Sequence, residues 1–324
     1  MLVEQLREEV RRGGLLDGPE PLLAMLSGGR DSTCLLDVLV ALRGAAAVSA
    51  LHVNYGLRDA AREDEQRCGE LCEQLGVALE VVRVERSVPA AGNLQAWARE
   101  RRYEAGRASA RRAGALLASG HTASDQVETI LYRLAASPGR RALQGMRERE
   151  GSLLRPLLSV TREQTAGYCR ERGLPWREDE SNEDPRFART RVRLGLLPAL
   201  MALHPSACEN VARTAMLLRE DSELIDGLVD AELNGRASIA LERLAALPAA
   251  LARAVVVRLA EDATGSYVPQ AGDRVAELLA LGRRGGPAEL HVGALAGAVI
   301  ERGELSMRML PPRTARALAP PGED

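Results

Sequence analysis

Along the first 150 residues, short apolar runs alternate with longer segments whose apolar positions recur every three or four residues. The runs are residues 21–26, 46–53, 77–85 and 114–119. In the third, Val77, Leu79 and Val81 alternate with Ala78, Glu80 and Val82, the period of a β-strand. Helical spacing predicts helices over 32–42, 60–75, 94–113 and 124–135. Strands separated by helices of this length imply right-handed crossovers. The expected architecture is therefore α/β: a Rossmann-like parallel sheet with helices on both faces and ligands at the strands' carboxyl ends.

Beyond residue 150 the pattern changes. Residues 152–156 could add one strand, and 161–172 predict a helix with Thr161 as N-cap and Gln164 completing a capping box. The stretch 177–185, REDESNEDP, is too polar for a core element and reads as a loop. Helical patterns dominate from about 186 to 281, which predicts a second, smaller and mainly α-helical domain. Residues 290–308 could close it with a hairpin around Glu301-Arg302-Gly303. The proline-rich end, 311–324, is expected to be disordered. The expected boundaries are a first domain over 1–200, the helical domain over 201–310, and the tail. No internal repeat is present.

Composition removes several functions. All 43 basic residues are arginine. A GxxxxGK phosphate loop, a pyridoxal Schiff base, a biotinyl-lysine and a lysyl-AMP ligase each require a lysine. The formal charge of −2 gives no global sign of a nucleic-acid partner, although local patches can still supply one. The N-terminal stretch carries acids and arginines where a signal peptide would be apolar, and no run approaches a membrane span. Five scattered cysteines, with no Cys-x-x-Cys pair, suggest packing thiols in a reducing cytoplasm rather than disulfides or a metal site.

The sharpest local feature is Ser27-Gly28-Gly29-Arg30-Asp31-Ser32, between a predicted strand and a predicted helix. Paired glycines allow a tight turn whose N–H groups converge. The helix start adds partial positive charge, and Ser27 and Ser32 add hydroxyls. This makes a pyrophosphate cradle that needs no lysine. Asp31 beside phosphate would repel it unless a cation bridges the two, which argues for Mg²⁺. The bland alternative is a strand-to-helix turn in which Asp31 and Ser32 cap the helix. Further along, Asp125 and Glu128 lie three apart in the first turn of a helix, so their carboxylates share a face. They could hold Mg²⁺ or a cationic amine, or serve only as N-terminal acids. His52 and His121 each follow a strand, as ligand contacts or as helix-entry residues. Arg99, Arg101, Arg102, Arg111 and Arg112 form either a nucleic-acid face or a solvated one. The cluster Arg186–Arg193 suggests an anion partner for Arg189 and Arg193.

The loop Ser27–Ser32 resembles the SGGxDS loop of the PP-loop ATP pyrophosphatases, which cleave ATP between the α- and β-phosphates. Four more segments narrow the resemblance: His52-Val-Asn-Tyr-Gly-Leu-Arg58, Ala98-Arg-Glu-Arg-Arg-Tyr103, Gly120-His-Thr-Ala-Ser-Asp-Gln-Val-Glu-Thr129, and Glu178-Asp-Glu-Ser-Asn182 ahead of Phe187-Ala-Arg189 and Arg191-Val-Arg193. In this order they look like the tRNA(Ile)-lysidine synthetases, over about residues 20–200. Three positions depart from that pattern: Ser124 stands for the first of two aspartates, Tyr55 for a histidine and Thr190 for an asparagine.

The resemblance implies ATP-dependent ligation of free L-lysine to C2 of cytidine 34, the wobble base of the CAU anticodon of tRNA(Ile). An adenylated cytidine would form on the way, and AUG reading would become AUA reading. It implies ATP and Mg²⁺, catalytic roles for Asp31, Asp125, Glu128 and Arg189, and nucleotide contacts from Ser27, Gly28, Gly29, Arg30, Asp31, Ser32, His52 and His121. It further implies tRNA contacts at Arg102, Arg191 and Arg193, metal contacts at Asp31 and Asp125, and a homodimer as an allowed assembly. A thiolase of the same superfamily would want paired cysteines. A non-catalytic nucleotide module would not need Asp31, Asp125 and Glu128.

Overall fold

The computed structural model describes residues 2–56, 61–84, 94–136, 139–177 and 188–311, apart from the side chains of 94–96 and 140. The acidic segment 178–182, Leu57, Arg58, Arg186, Phe187 and the tail from 312 lie outside these residues. By internal contacts the chain divides into two units, Met1–Met216 and Leu217–Asp324.

The first unit runs α1 (Leu2–Arg12), β1 (Leu22–Met25), α2 (Arg30–Arg43), β2 (Val48–Asn54), α3 (Ala61–Leu75), β3 (Ala78–Arg83), α4 (Leu94–Ala113), β4 (Leu116–Ala118) and α5 (Ala123–Ala136). It continues through α6 (Arg140–Leu143), β5 (Arg149–Glu150), β6 (Leu153–Leu154), α7 (Arg162–Arg172), α8 (Ala188–Arg191), a π-helical turn (Val192–Leu196) and α9 (Leu197–Leu203), into the long α10 (Ala207–Leu233) that contains the division between units.

The sheet order is β3-β2-β1-β4-β6-β5, parallel except for the β5–β6 hairpin. Both faces are covered, which is why β1 reads as a continuous apolar run. Leu22 and Ala24 pack with Leu35, Leu39 and Tyr168 on one face. Leu23 and Met25 pack with Leu51, Leu117 and Ala110 on the other.

The first helix was not visible as a core element among the acids and arginines of the N-terminus. Val3, Leu6 and Val10 nevertheless line one side of α1 and are buried. A buried carboxylate ties this layer together. Asp37 of α2 accepts hydrogen bonds from the Tyr168 hydroxyl at 2.5 Å, from the Arg172 fork at 3.0 and 3.1 Å, and from Arg7 at 3.2 Å. Burial alone would raise its pKa. Arg172, Tyr168 and Arg7 more than offset that and hold it below the usual carboxylate range. Helix α7 is thereby anchored to α1 and α2. It begins with the expected capping box: Gln164 N–H donates to Thr161 Oγ1 at 3.3 Å, and Thr161 N–H to Gln164 Oε1 at 2.7 Å.

The second unit is mainly helical, as expected, and adds a four-stranded sheet of which the pattern showed only the last hairpin. Besides the rest of α10 it contains β7 (Ser238–Ala240), α11 (Leu241–Ala246), α12 (Ala249–Thr264), α13 (Val275–Arg283), β8 (Ala288–Gly293), β9 (Ala296–Glu301) and β10 (Glu304–Met309). The four strands form an antiparallel sheet, β7-β10-β9-β8, over a core that includes Ile239, Val255, Leu278, Ile300 and Leu305. The terminal hairpin is as expected. Its two turn residues, Arg302 and Gly303, have φ of 52° and 79°, the left-handed pair that matches strand twist in a two-residue loop. The three-residue β7 is too short to show a period, so the rest of the sheet could not be counted from the pattern. Among the described residues no helix is long and apolar enough to cross a membrane.

Candidate active site at the sheet's switch point

From β1 the chain moves outward through β2 to β3 on one side, and β4 then enters on the other side of β1. The carboxyl ends of β1 and β4 therefore flank the switch point, where open α/β sheets place their ligands. The two loops there touch closely. A Cβ added to Gly120 would stand 2.9 Å from the Asp31 carbonyl oxygen, so only glycine allows this approach.

The loop after β1 is pre-shaped. Gly28 has φ +77°. Ser32 Oγ donates to the Gly29 carbonyl at 2.8 Å and accepts from Ser27 N–H at 3.2 Å, with Ser27 Oγ 3.1 Å away. Gly29 is the N-cap of α2, and its extended backbone leads directly into Arg30 and Asp31. The first helical N–H groups thus face the loop, as an anion cradle requires. Arg177 N–H donates to the Gly28 carbonyl at 3.1 Å.

The three acids singled out in the sequence come together around a residue that was not singled out. Arg162, the first residue of α7, places Nη2 2.7 Å from Asp125 Oδ1, Nη1 3.1 Å from Glu128 Oε1 and Nε 3.6 Å from Asp31 Oδ2. Thr165, one turn on, donates to Asp31 Oδ1 at 2.5 Å. The other oxygen of Asp125 accepts from the N–H and the hydroxyl of Thr122, both at 2.9 Å. Arg193, in the π-helical turn, makes a two-point fork on Glu128 at 2.7 and 3.0 Å. Burial would raise the Asp125 pKa, but Arg162 and then the other nearby donors hold it below the usual range. Burial likewise works against the Arg162 charge, and Asp125, Glu128 and Asp31 outweigh it.

The remaining site residues sort by position. His121 lies between Ser119, whose Oγ is 2.9 Å from Nδ1, and Tyr103, whose ring stacks on it with centroids 6.5 Å apart. Burial pushes its pKa down to about 4 against the pull of Asp125, and Arg99, Arg155 and Arg102 push the same way. It is neutral at pH 7.

His52 is buried, with Nδ1 3.0 Å from the Leu26 carbonyl and 3.4 Å from Cys68 Sγ. Its ring therefore braces the strand end that leads into the loop. Arg189 is exposed, 6.0 Å over the Tyr132 ring. Arg191 is exposed too, and Arg102 is half-buried beside the Tyr55 hydroxyl.

The three departures also have places. Ser124 Oγ accepts the Arg162 N–H at 3.3 Å, Tyr55 donates to the Ala98 carbonyl at 2.7 Å, and Thr190 is buried.

No sequence signal marked Arg162. Its capping box was legible, but the meeting of that helix start with α2 and α5 follows only from topology.

For a hard cation the donor set is suitable in kind, since carboxylate oxygens are the ligands such ions take. Among the described residues, no group of three or more His, Cys, Asp or Glu side chains is arranged to hold a metal ion by itself. Magnesium commonly takes one or two carboxylates and completes its shell with substrate phosphates and water. Asp31, beside the loop and one-fifth exposed, fits that role. Asp125 fits it only when Arg162 withdraws.

A family model described as a PP-loop domain matches residues 4–200. The tRNA(Ile)-lysidine synthase of Salinispora arenicola is 40% identical, over 72% of this chain and 73% of that protein. The protein of the same name from Thermus thermophilus is 38% identical, over 99% of this chain and 62% of its own length. The chain spans about half the length of the Pseudomonas relatives that it also matches. Among solved structures, the U34-tRNA thiolase NcsA from Methanococcus maripaludis, with its [4Fe-4S] cluster, superimposes with a TM-score of 0.57 at 16% identity, over 67% of this chain and 79% of that one. That likeness concerns the fold alone. With a PP-loop domain over most of its first unit and relatives matched along nearly its whole length, the chain belongs to the tRNA(Ile)-lysidine synthase family.

Proposed function

We propose that the protein joins free L-lysine to C2 of cytidine 34 in the CAU anticodon of tRNA(Ile), at the expense of ATP, in the cytoplasm. The observation that carries this reading is the meeting of a phosphate cradle with a trio of carboxylates at one switch point, in a chain of this family. A purely phosphate-binding module has no use for Asp31, Asp125 and Glu128 around a single cation.

In the reaction so read, Ser27–Ser32 hold the β- and γ-phosphates of ATP through backbone N–H groups and hydroxyls. Asp31 would hold Mg²⁺, which would supply positive charge opposite the phosphates and the departing pyrophosphate. The cytidine O2 attacks the α-phosphorus and the bond to pyrophosphate breaks, leaving C2 bonded through oxygen to AMP. Asp125 and Glu128 receive the lysine side-chain ammonium in the place that Arg162 fills here, and orient the amine once its proton has gone to solvent. The amine nitrogen then bonds to C2, and the C2–O bond breaks with AMP as leaving group. Arg189, exposed and unburdened by a carboxylate partner in the contacts described, swings to the α-phosphate and meets its developing charge. These contributions are positioning and electrostatics, the main levers for transfer at phosphorus. The anticodon loop is single-stranded, so its base can enter a pocket without opening a duplex.

The cysteines speak against sulfur transfer. Burial pushes the Cys68 thiol up to about 12 and Cys72 up to about 11, and all five thiols are buried, which suits packing and not persulfide chemistry. The test is to incubate the protein with ATP, radiolabelled lysine and a tRNA(Ile) transcript bearing CAU. Label in that RNA, and none in a transcript whose wobble base is changed, is the expected result. Absence of label from every RNA tried would overturn the reading.

A further inference from the structure

Tyr103, whose ring stacks on His121, also lines a cavity of about 630 Å³ built from α4, the end of α5 and the β5–β6 hairpin. Six arginines line it: Arg99, Arg107, Arg133, Arg147, Arg149 and Arg155. Among the described residues its only lining carboxylate is Glu150.

Part of this charge is built into the wall. Arg155 is buried, donates to the Arg147 carbonyl at 2.6 Å and to Glu150 at 2.8 Å, and has an Nε with no hydrogen-bond partner. Arg133 donates to the Gly145 carbonyl at 2.7 Å. Arg99 and Arg107 lie 5.2 and 5.7 Å from the centre of the Tyr103 ring. Burial pushes the pKa values of Arg99 and Arg133 down, and repulsion from neighbouring arginines adds to it. So many guanidiniums around one open space oppose folding unless a multiply charged anion relieves them.

The ATP phosphates already have the loop after β1. Guanidinium forks match the oxygens of phosphodiesters, and the flat faces of arginine and tyrosine offer surfaces on which unpaired bases stack. Tyr103 lines the chamber and stacks on His121, whose ring interacts electrostatically with Asp125, so the chamber is linked to the acid trio through these two rings. We propose that this chamber binds the backbone phosphates of the single-stranded RNA that flanks the reacting base, with Arg107, Arg147 and Arg149 as its exposed contacts. The assignment rests on the tRNA reading above and adds a site to it.

The experiment titrates a fluorescent anticodon stem-loop RNA with a CAU loop against the full chain over a range of salt. It compares wild type, Arg107→Ala/Arg149→Ala, and a control, Arg11→Ala/Arg12→Ala, on α1. Removing two phosphate contacts to single-stranded RNA should lower the slope of log affinity against log salt by about 1.4, and weaken binding roughly tenfold near physiological salt. The control should keep the wild-type slope. All three should bind ATP equally by calorimetry, and without RNA the chamber variant should melt no lower than wild type.

An unchanged slope in the chamber variant overturns the proposal, as does an equal loss in the control or a loss of ATP affinity in place of RNA affinity. If wild type binds the RNA and transfers lysine while the chamber variant is indistinguishable from it, the chamber alone is refuted. If wild type binds no RNA, the functional reading falls with it.

Discussion

Replacing Arg162 by alanine removes the one guanidinium that touches all three acids of the site. Two charges 4 Å apart attract by about 4 kcal/mol at an effective dielectric of 20, and all three Arg162 contacts, at 2.7, 3.1 and 3.6 Å, are closer than this. Several kcal/mol of this is offset by the desolvation of the guanidinium itself, and breaking a buried pair typically costs about 3–5 kcal/mol. Arg162 keeps 18% of its side chain exposed, so water can follow it out, and Arg193 still covers Glu128. A net loss of about 2–4 kcal/mol is the outcome, which in a unit of this size lowers Tm by roughly 5–12 °C.

The pH dependence gives the sharper check. In the native protein Asp125 is held below its ordinary pKa, so its contribution is present above the unfolded value near 4 and is lost as pH falls through the folded one. Without Arg162, burial and two neighbouring carboxylates push Asp125 the other way. A carboxylate raised on folding binds protons more readily in the native state, so the variant gains stability as pH falls from 7 toward 5. The gap in Tm between wild type and Arg162→Ala should therefore narrow over that interval in melts followed by circular dichroism. Millimolar Mg²⁺ should raise the melting temperature of the variant more than that of wild type, because the vacated trio is a better cation site. A variant that melts with wild type at every pH would refute the role given to Arg162.

Gly120→Ala sets a methyl 2.9 Å from the Asp31 carbonyl oxygen, against the Asp31–Ser32 backbone and with no flexible side-chain end to yield. A loss on the order of 1–3 kcal/mol and a much weaker ATP isotherm should follow, read by melting and calorimetry. Thr161→Ala removes the cap of α7 and about 1 kcal/mol with it. Because that helix start carries Arg162 and Thr165, lysine-transfer activity should drop by more than the Tm shift alone would suggest. For His121, folding lowers the pKa to about 4, so its contribution to stability is whole above the unfolded value near 6.5 and is lost as pH falls from there toward 4. Its ring resonances should not titrate between pH 8 and about 5 by NMR, and a midpoint near 6.5 would show that the ring is exposed.

The elements on the switch-point side were legible because each has a strong local signature. The continuous apolar run of β1, the glycine pair after it and the acids at the start of α5 belong to single segments. The site formed from them was only half legible. Asp31, Asp125 and Glu128 do converge, yet the group that brings them together comes from the first turn of α7, whose place beside α2 depends on the Asp37 network with Tyr168, Arg172 and Arg7. Nothing in residues 161–165 says that Arg162 faces inward; an arginine at a helix start is unfavourable to the helix dipole and looks accidental until its partners are seen. The same holds for Arg193, read in the sequence as an anion contact: its fork on Glu128 could not be read from residues 186–193.

Net charge was the least informative number, and the structure explains why. The −2 of the chain averages a three-carboxylate site with an arginine-lined chamber. These two fields suit opposite ends of the proposed chemistry: a cationic amine at one, a phosphodiester at the other. The absence of lysine sharpens the separation. Every basic side chain is a planar guanidinium that stays charged, matches phosphate in two-point contacts and fills the acid trio only by spreading across it, as Arg162 does. A free lysine brings a compact ammonium, which can enter where the guanidinium leaves and, unlike arginine, can lose its proton to become a nucleophile. In the proposed reaction, exchange of Arg162 for the substrate amine would be the step that arms the site. Arg162→Lys would then put a permanent amine into the trio and should weaken lysine binding while leaving ATP binding intact, whereas equal loss of both would show that Arg162 serves the phosphate loop instead.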